Sequence, residues 1–336
     1  MTFDFNDEIQ GMNTLELETI SLIDFSNTAK RDVIASQLNH AVTSHGMFAI
    51  TDHGVKPALL AQCFKLSRDF FSLPAEDKNA IPIEGMLPPR GYFPDGVYVK
   101  NSQKFPLATA VRENFVYCIA NNTDKQPSDL ANQFFTPITW PDKIDGFQRC
   151  FTEFQTAMHQ LTQTLWSLFA VALNLPADYF VPLTTNPTSF TVINYYKHVE
   201  SWTSHYGDFR MGPHTDITTY TVIMAEESEH SLQVELVSGE WVNISAPDGS
   251  IVIQIGDIMN RWTSDKWRST KHRVLPPIQS STDNSRVSVV YGVQTDIGVE
   301  ISSLPDCQDK GMTNEPITCC EHELASFTKA LEFSAG

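Results

Sequence analysis

The sequence predicts an α+β protein whose second half forms a β sandwich or jelly roll. From residue 188 onward, short runs rich in β-branched and aromatic residues alternate with polar turns such as Ser238-Gly239. Before them, apolar residues from Ile144 to Leu168 recur at gaps of three and four, which predicts one long helix. The predicted strands are 188–199, 217–225, 232–237, 240–245, 250–255, 270–275 and 286–295.

The first half is predicted to be mainly helical. Residues 20–25 alternate like a short strand, 28–45 form a helix that stops at Gly46, and 47–51 form a strand. Pro57 opens a second helix that runs through Phe71.

Many prolines interrupt residues 79–142, so we expect long loops packed over a site. Four regions follow: an arm (1–19), a helical region with pocket-covering loops (20–142), a long helix plus catalytic core (143–300), and a partly helical end (301–336).

The periodicity of the long helix has two interpretations. It is compatible with a coiled-coil dimer helix, or with a helix laid on a sheet. The flanking positions carry no ladder of opposite charges, which favours packing on a sheet.

Composition restricts the class of protein. The chain has 336 residues, 41% of them hydrophobic, and a formal net charge of −17. Such acidity argues against nucleic-acid or anionic-membrane partners, which are bound by clustered Lys and Arg. The six cysteines form no C-x-x-C pair and fit a reducing compartment. We expect a soluble, cytoplasmic monomer that acts on a small molecule.

A short His-x-Asp step is predicted to belong to the same strand as the run from Thr218 to Met224, and a second histidine lies in a later predicted strand. Because a strand repeats every two residues, we expect His214 and Asp216 to project from the same face. Two imidazoles and one carboxylate can hold one side of an Fe(II) ion and leave three positions open. His214, Asp216 and His272 are therefore candidate metal ligands, and zinc hydrolysis is an open alternative.

Arg286 and Ser288 also share a strand face. A guanidinium beside a hydroxyl suits the far carboxylate of a dicarboxylic acid. The pair therefore indicates an anion-binding position in the same β region as the candidate metal ligands.

These motifs together resemble the isopenicillin N synthase-like Fe(II)/2-oxoglutarate-dependent dioxygenases. The resemblance covers about residues 20–300 in the family's order. It rests on Ile23-Asp-Phe25, Gly46-Met-Phe48, His53-Gly-Val55, Pro213-His-Thr-Asp216, Leu232-Gln-Val234, Gly239-Glu-Trp241, Ile255-Gly-Asp257, Arg261-Trp262, Ser269-Thr-Lys-His-Arg-Val274 and Arg286-Val-Ser288.

The resemblance implies a double-stranded β-helix (jelly-roll, cupin-like) core flanked by helices, with the long helix on the major sheet. It implies Fe(II), 2-oxoglutarate and O2 as cofactor and cosubstrates, with ascorbate supportive. By the same resemblance the iron ligands are His214, Asp216 and His272, and the 2-oxoglutarate residues are Arg286, Ser288, Asn194 and Tyr196. Phe115, Tyr117 and Gln294 match positions that face the prime substrate, whereas Asp257 and Trp262 match fold determinants.

Three departures from the family pattern occur. His230-Ser231 stand where glycine is usual before Leu232, Gln254 stands where Asn is common, and Lys197-His198 replace a proline. None is expected to touch the ligand set.

Basic residues near the predicted mouth suggest a carboxylate-bearing, amino-acid-derived substrate of secondary metabolism. They are Arg90, Lys100, Lys104, Arg112, Lys197, His198 and Arg210, with Arg112 and Arg210 assigned to the substrate pocket. The expected outcome is hydroxylation, desaturation or oxidative ring closure. A relative of the same fold that does not use 2-oxoglutarate, and a β-barrel binding protein with a degenerate site, are the other hypotheses.

Overall fold

The predicted β region folds into two facing sheets. This computed structural model describes residues 13–85, 89–94, 112–119, 137–199, 209–226, 232–275, 283–307 and 315–332. Its strands are β1 (Thr14–Glu16), β2 (Thr19–Ser21), β3 (Met47–Thr51), β4 (Gly91–Phe93), β5 (Arg112–Tyr117), β6 (Phe190–Tyr196), β7 (Met211–His214), β8 (Tyr220–Ala225), β9 (Leu232–Glu235), β10 (Trp241–Ser245), β11 (Ile251–Ile255), β12 (His272–Val274), β13 (Arg286–Val293), β14 (Glu300–Ile301) and β15 (Ile317–Thr318).

The helices lie mostly in the first half and in the middle of the chain. They are α1 (Leu22–Ser26), α2 (Arg31–Ser44), α3 (Pro57–Phe71), α4 (Ala75–Asn79), α5 (Phe147–Ala172), α6 (Asp257–Trp262) and α7 (Cys319–Glu332). Short 3-10 turns cover Val181–Leu183 and Pro305–Cys307. In the described part of the chain, no helix has the length and apolar character required to cross a membrane.

The sheets have the strand orders of a jelly roll. The major sheet runs β2-β3-β11-β8-β13-β6-β5-β4, and the minor sheet runs β1-β10-β9-β12-β7. Pairing is antiparallel except between β2 and β3 and between β1 and β10. Between the sheets, at the end away from β13, a small apolar cluster contains Met47, Ala49, Val234 and Val242. The predicted fold class is confirmed.

Helix α5 packs on the outer face of the major sheet. The ring of Phe169 lies 4.9 Å from Tyr220 on β8 and 6.2 Å from Phe48 on β3, centroid to centroid. Further along the helix, Phe151 lies 5.8 Å from Tyr117 on β5. Packing on a sheet is therefore the correct interpretation of the apolar periodicity.

The predicted bounds of secondary structure were correct where the residues of an element follow a single helical or strand pattern. Strand β3 and helix α3 have the predicted bounds. In contrast, the predicted strand at 20–25 ends at Ser21, whose side chain caps α1 by accepting from the Asp24 N–H. Strand β7 was not predicted, and the irregular stretch contains β4 and β5. The predicted loops at 95–111 and 120–136 lie outside the described residues, as do Lys100, Lys104 and His230-Ser231.

Candidate active site

A cavity of about 280 Å³ opens between the two sheets. Alternate residues of β5, β6, β8 and β13 form its wall on the major sheet, as strand geometry requires. Strands β7, β9 and β12 and the turn after β7 form the opposite wall. The residues that line it are Arg112, Asn114, Phe190, Val192, Asn194, Tyr196, Met211, His214, Thr215, Asp216, Ile217, Thr218, Thr221, Ile223, Leu232, His272, Val274, Arg286, Ser288, Val290 and Gly292.

The three candidate metal ligands meet on the minor-sheet side of this cavity. His214 ends β7 and pairs directly with His272 at the start of β12, so their ring centroids are 4.0 Å apart. Oδ1 of Asp216 lies 3.7 Å from Nε2 of each histidine. The ligand atoms of all three residues lie within 4.8 Å of one another.

The strand argument for His214 and Asp216 was wrong, although the two side chains do converge. Strand β7 ends at His214, and Asp216 lies in the turn before β8. The Asp216 carbonyl oxygen accepts from the Asp257 N–H at 2.8 Å, which fixes this turn against the start of α6. The local turn, rather than alternation along a strand, brings the carboxylate to the imidazoles.

Each ligand is oriented by a second contact. Oδ2 of Asp216 accepts from the Thr221 hydroxyl at 2.5 Å, so Oδ1 faces the histidines. Nδ1 of His214 lies 2.9 Å from the Gly212 carbonyl oxygen, which leaves Nε2 directed at the cavity. Burial and the neighbouring His272 lower the pKa of His214, which keeps its imidazole neutral and able to bind a metal.

One departure from the family pattern does touch the ligand set. The side-chain amide nitrogen of Gln254, on β11, lies 2.8 Å from Nδ1 of His272. Gln254 is fully buried. The expectation that the departures stay clear of the ligands is therefore wrong at this position, because β11 is close enough in space to reach β12.

Asp257 connects the two segments that carry the ligands. Its carboxylate accepts from the Thr215 hydroxyl at 3.2 Å and from the Ser269 hydroxyl at 2.5 Å. Burial raises the pKa of Asp257. These contacts fit the predicted structural role, because they hold the turn after His214 against the segment before His272.

Arg286 and Ser288 lie on the cavity face of β13, on the major sheet. Across the sheet Arg286 pairs with Tyr196 and Ser288 with Asn194, whose amide nitrogen donates to the Ser288 hydroxyl at 3.1 Å. All four predicted 2-oxoglutarate residues thus lie side by side. Burial lowers the pKa of Arg286 below its usual value, but an arginine remains charged at neutral pH.

The guanidinium of Arg286 has little bonding to protein. Among the described residues its one hydrogen bond runs from Nε to the Glu226 carbonyl oxygen at 3.3 Å. The Glu226 carboxylate is instead held by Arg68, at 2.8 Å from Nε and 2.6 Å from an NH2 group, and by the Val287 N–H. Among the described residues neither terminal NH2 group of Arg286 has a hydrogen-bond partner, so both are available to a ligand carboxylate.

Arg210 does not line the cavity, contrary to prediction. Its NH2 group donates to the carbonyl oxygens of Lys197 at 3.1 Å and Asn284 at 2.8 Å, and its guanidinium lies 5.7 Å from the Tyr196 ring centroid. Burial lowers the pKa of Arg210 to about 10. These contacts assign Arg210 to the support of Tyr196.

The substrate-facing prediction for β5 selected the wrong face of the strand. Phe115 and Tyr117 are fully buried against α5 and its neighbours, and Tyr117 donates to the Phe151 carbonyl oxygen at 3.1 Å. Because successive side chains alternate, Arg112 and Asn114 face the cavity instead. Arg112 was predicted and Asn114 was missed, although alternation from Arg112 could have found it.

Gln294 is also absent from the cavity lining. It follows the end of β13, where its backbone N–H donates to the Ser189 hydroxyl at 3.0 Å. Its side chain is fully buried. Alternate residues of β13 face the cavity as far as Gly292, but Gln294, two residues later, does not.

The other basic residues are engaged elsewhere. Lys197 pairs with Glu113 at 2.8 Å, and His198 lies 3.9 Å from Asp283. Arg90 is buried near Cys118 and Glu323. Among the described basic side chains of the predicted group, Arg112 alone lines the cavity.

Phe190 was missed by the sequence argument and forms part of the cavity wall. A Cβ at Gly292 would lie 2.9 Å from the Phe190 ring and 2.9 Å from the Thr218 methyl group. The absence of a side chain at Gly292 therefore makes room for the ring. No motif marked either residue.

Comparison with known proteins agrees with this geometry. Residues 20–143 match the family described as "non-haem dioxygenase in morphine synthesis N-terminal", and residues 187–295 match the "2OG-Fe(II) oxygenase superfamily". An oxidoreductase of the 2-oxoglutarate-Fe(II) type, ppzD of Metarhizium rileyi, is 31% identical over 76% of this chain and 73% of its own. The chain belongs to the Fe(II)/2-oxoglutarate-dependent oxygenase family.

Further comparisons extend over most of the oxygenase. Proline hydroxylase buaE of Petromyces alliaceus is 28% identical over 82% of this chain and 86% of its own. The crystal structure of a full-length Neurospora crassa protein in complex with alpha-KG superposes with a TM-score of 0.80 at 20% identity, covering 93% of this chain and 96% of that one. The latter likeness concerns the fold.

The donor set of the oxygenase fits its family's cofactors. Two imidazoles and a carboxylate with one oxygen turned to them suit Fe(II), and an available buried guanidinium suits a dicarboxylic acid. Fe(II) and 2-oxoglutarate are therefore its cofactor and cosubstrate, as predicted.

Proposed function

We propose that His214, Asp216 and His272 hold the iron of this oxygenase. The convergence of their ligand atoms within 4.8 Å supports the assignment. Contacts to Thr221 and to Gly212 further support it, because they leave one carboxylate oxygen and one imidazole nitrogen free.

2-Oxoglutarate binds with its far carboxylate on Arg286 and Ser288. This proposal is supported by the ion pair between Arg68 and Glu226. Because Arg68 neutralises Glu226, the two terminal NH2 groups of Arg286 can bind both oxygens of a ligand carboxylate. Asn194 and Tyr196 form the adjoining wall, and Asn194 holds the Ser288 hydroxyl. A relative that dispenses with 2-oxoglutarate has no need for this buried, available cation.

Bound together, iron, 2-oxoglutarate and O2 supply an oxidant for a C–H bond, while 2-oxoglutarate becomes succinate and CO2. The protein orients the substrate and excludes water from the oxidant. Val192, Val290 and Ile223 contribute an apolar wall suited to this purpose. The position of the substrate's C–H bonds decides among hydroxylation, desaturation and ring closure.

The substrate is a small metabolite that carries a carboxylate, such as an amino acid derivative. Arg112 supports this proposal because it brings a second guanidinium to the cavity of about 280 Å³. It pairs across the sheet with Tyr196, which pairs on its other side with Arg286. The similarity to a proline hydroxylase points to the same class.

A metabolite panel tests this function through succinate formation under air with Fe(II) and ascorbate. Each carboxylic acid is paired with its neutral amide or ester. We expect carboxylic acids to stimulate succinate formation and their neutral partners to fail. Stimulation by neutral compounds alone contradicts the substrate class, and product composition separates oxygen insertion from loss of hydrogen.

A further inference from the structure

Gln254 lies on the major sheet and contacts His272, a candidate iron ligand on the minor sheet. It lies on β11, and its side-chain amide nitrogen is 2.8 Å from Nδ1 of His272. Its amide oxygen is buried and has no hydrogen-bond partner in the described part of the chain. The amide therefore has an oxygen whose hydrogen-bonding capacity is unused.

A histidine that binds a metal through Nε2 carries its hydrogen on Nδ1. That hydrogen needs an acceptor. The carbonyl oxygen of Thr270 lies 3.4 Å from Nδ1, which is long for a hydrogen bond. A half-turn of the Gln254 amide about its terminal bond exchanges nitrogen for oxygen and brings the acceptor to the 2.8 Å position.

We infer that Gln254 is a positioning residue for the metal site: its amide oxygen accepts the Nδ1 hydrogen of His272 and holds Nε2 toward the metal. The inference rests on the proposed role of His272 as a ligand. When Nδ1 of His272 carries no hydrogen, the amide nitrogen of Gln254 can donate to it, so Gln254 can bond to His272 in either tautomer. Full burial of Gln254 keeps water from replacing it.

Gln155 is a matched control in the same chain. It is buried on α5, its amide nitrogen donates to the Ile119 carbonyl oxygen at 2.8 Å, and its amide oxygen has no partner among the described residues. It therefore shares burial and bonding pattern with Gln254 but contacts none of the candidate ligands.

The test measures the affinity of the full chain for Co(II) or Fe(II) alone, without oxygen, together with the visible absorption bands of Co(II). Gln254→Met preserves side-chain length and removes the acceptor, so we expect the dissociation constant to rise about 10- to 100-fold and the bands to shift. Gln254→Glu supplies an oxygen in either orientation and should keep the affinity within about threefold of the parent. Gln155→Met should change neither quantity.

The melting temperature of each metal-free variant separates misfolding from loss of positioning. If Gln254→Met folds and binds Co(II) as tightly as the parent protein, the inference is wrong. Should that variant not fold, a tenfold loss of affinity in a folded Gln254→Glu overturns the inference and retained affinity supports it. Failure of the parent protein to bind either metal would instead contradict the proposed iron site.

Discussion

The hydroxyl of Thr221 lies 2.5 Å from Oδ2 of Asp216, on the side of the carboxylate turned away from the two histidines. The Thr218 hydroxyl lies 2.9 Å from that of Thr221, so the two form a short chain that ends at the carboxylate. A carboxylate held in this way presents one oxygen to a metal and keeps the other bonded to protein.

Thr221→Val should therefore weaken metal binding. Valine keeps the shape of threonine but leaves Oδ2 of Asp216 without its donor, so we expect an increase of about tenfold in the metal dissociation constant. Thr219→Val is the control, because the Thr219 hydroxyl is buried without a partner among the described residues. Equal affinities for the two variants, measured by anaerobic titration, would show that the Thr221 contact does not orient Asp216.

Arg286→Ala should raise the apparent KM for 2-oxoglutarate roughly a hundredfold or more. The variant leaves a buried carboxylate unpaired, at a cost on the order of 3–5 kcal/mol. Arg286→Lys keeps the positive charge but loses the planar guanidinium that can bind both carboxylate oxygens. Its KM for 2-oxoglutarate should therefore lie between those of the parent and the alanine variant. Succinate formation at varied 2-oxoglutarate measures both. An unchanged KM in Arg286→Ala would remove this residue from the cosubstrate site.

Arg112→Met should weaken binding of an anionic substrate selectively. Loss of one charge-assisted contact predicts a fall in kcat/KM of about 10- to 100-fold, with the KM for 2-oxoglutarate changed less than about twofold. Lys197→Met is the control, since Lys197 pairs with Glu113 and is absent from the cavity lining. Similar losses in both variants would indicate a general effect of surface charge and contradict a specific role for Arg112.

Glu323 should make stability fall as pH rises. Burial raises the pKa of this carboxyl to about 8, above its ordinary value of 4.5, although Cys319, Thr188 and Arg90 partly oppose the shift. The folded protein therefore keeps a proton that the unfolded chain releases between those pH values, and the stability contribution declines across that window.

Glu323→Gln removes this dependence. We expect the melting temperature of the variant to match that of the parent at pH 4 and to exceed it by about 2 °C or more at pH 9. Glu321→Gln, at an exposed position of the same helix, should raise the melting temperature at neither pH. Parallel pH profiles for the parent and Glu323→Gln would disprove the assignment.

Prediction of the site from sequence worked for residues defined by order along the chain. His214, Asp216 and His272 come together, and Arg286 lies with Ser288 opposite Asn194 and Tyr196 as the family resemblance implied. It failed where the outcome depends on which face of a strand points inward. A shift of one residue exchanges Phe115 for Asn114, and only the pairing of β5 with β6 decides that register.

The amino-acid sequence by itself predicted the α+β class and a long helix, and its resemblance to a known family predicted the cofactor chemistry and the candidate ligands. These follow from periodicity, residue type and motif order, which are properties of the chain. Tertiary structure alone decided that Gln254 contacts His272 and that Arg68 forms an ion pair with Glu226. It also decided that Arg210 packs against Tyr196 instead of binding substrate. Such contacts join residues far apart in sequence, so they depend on how the two sheets and the helices pack.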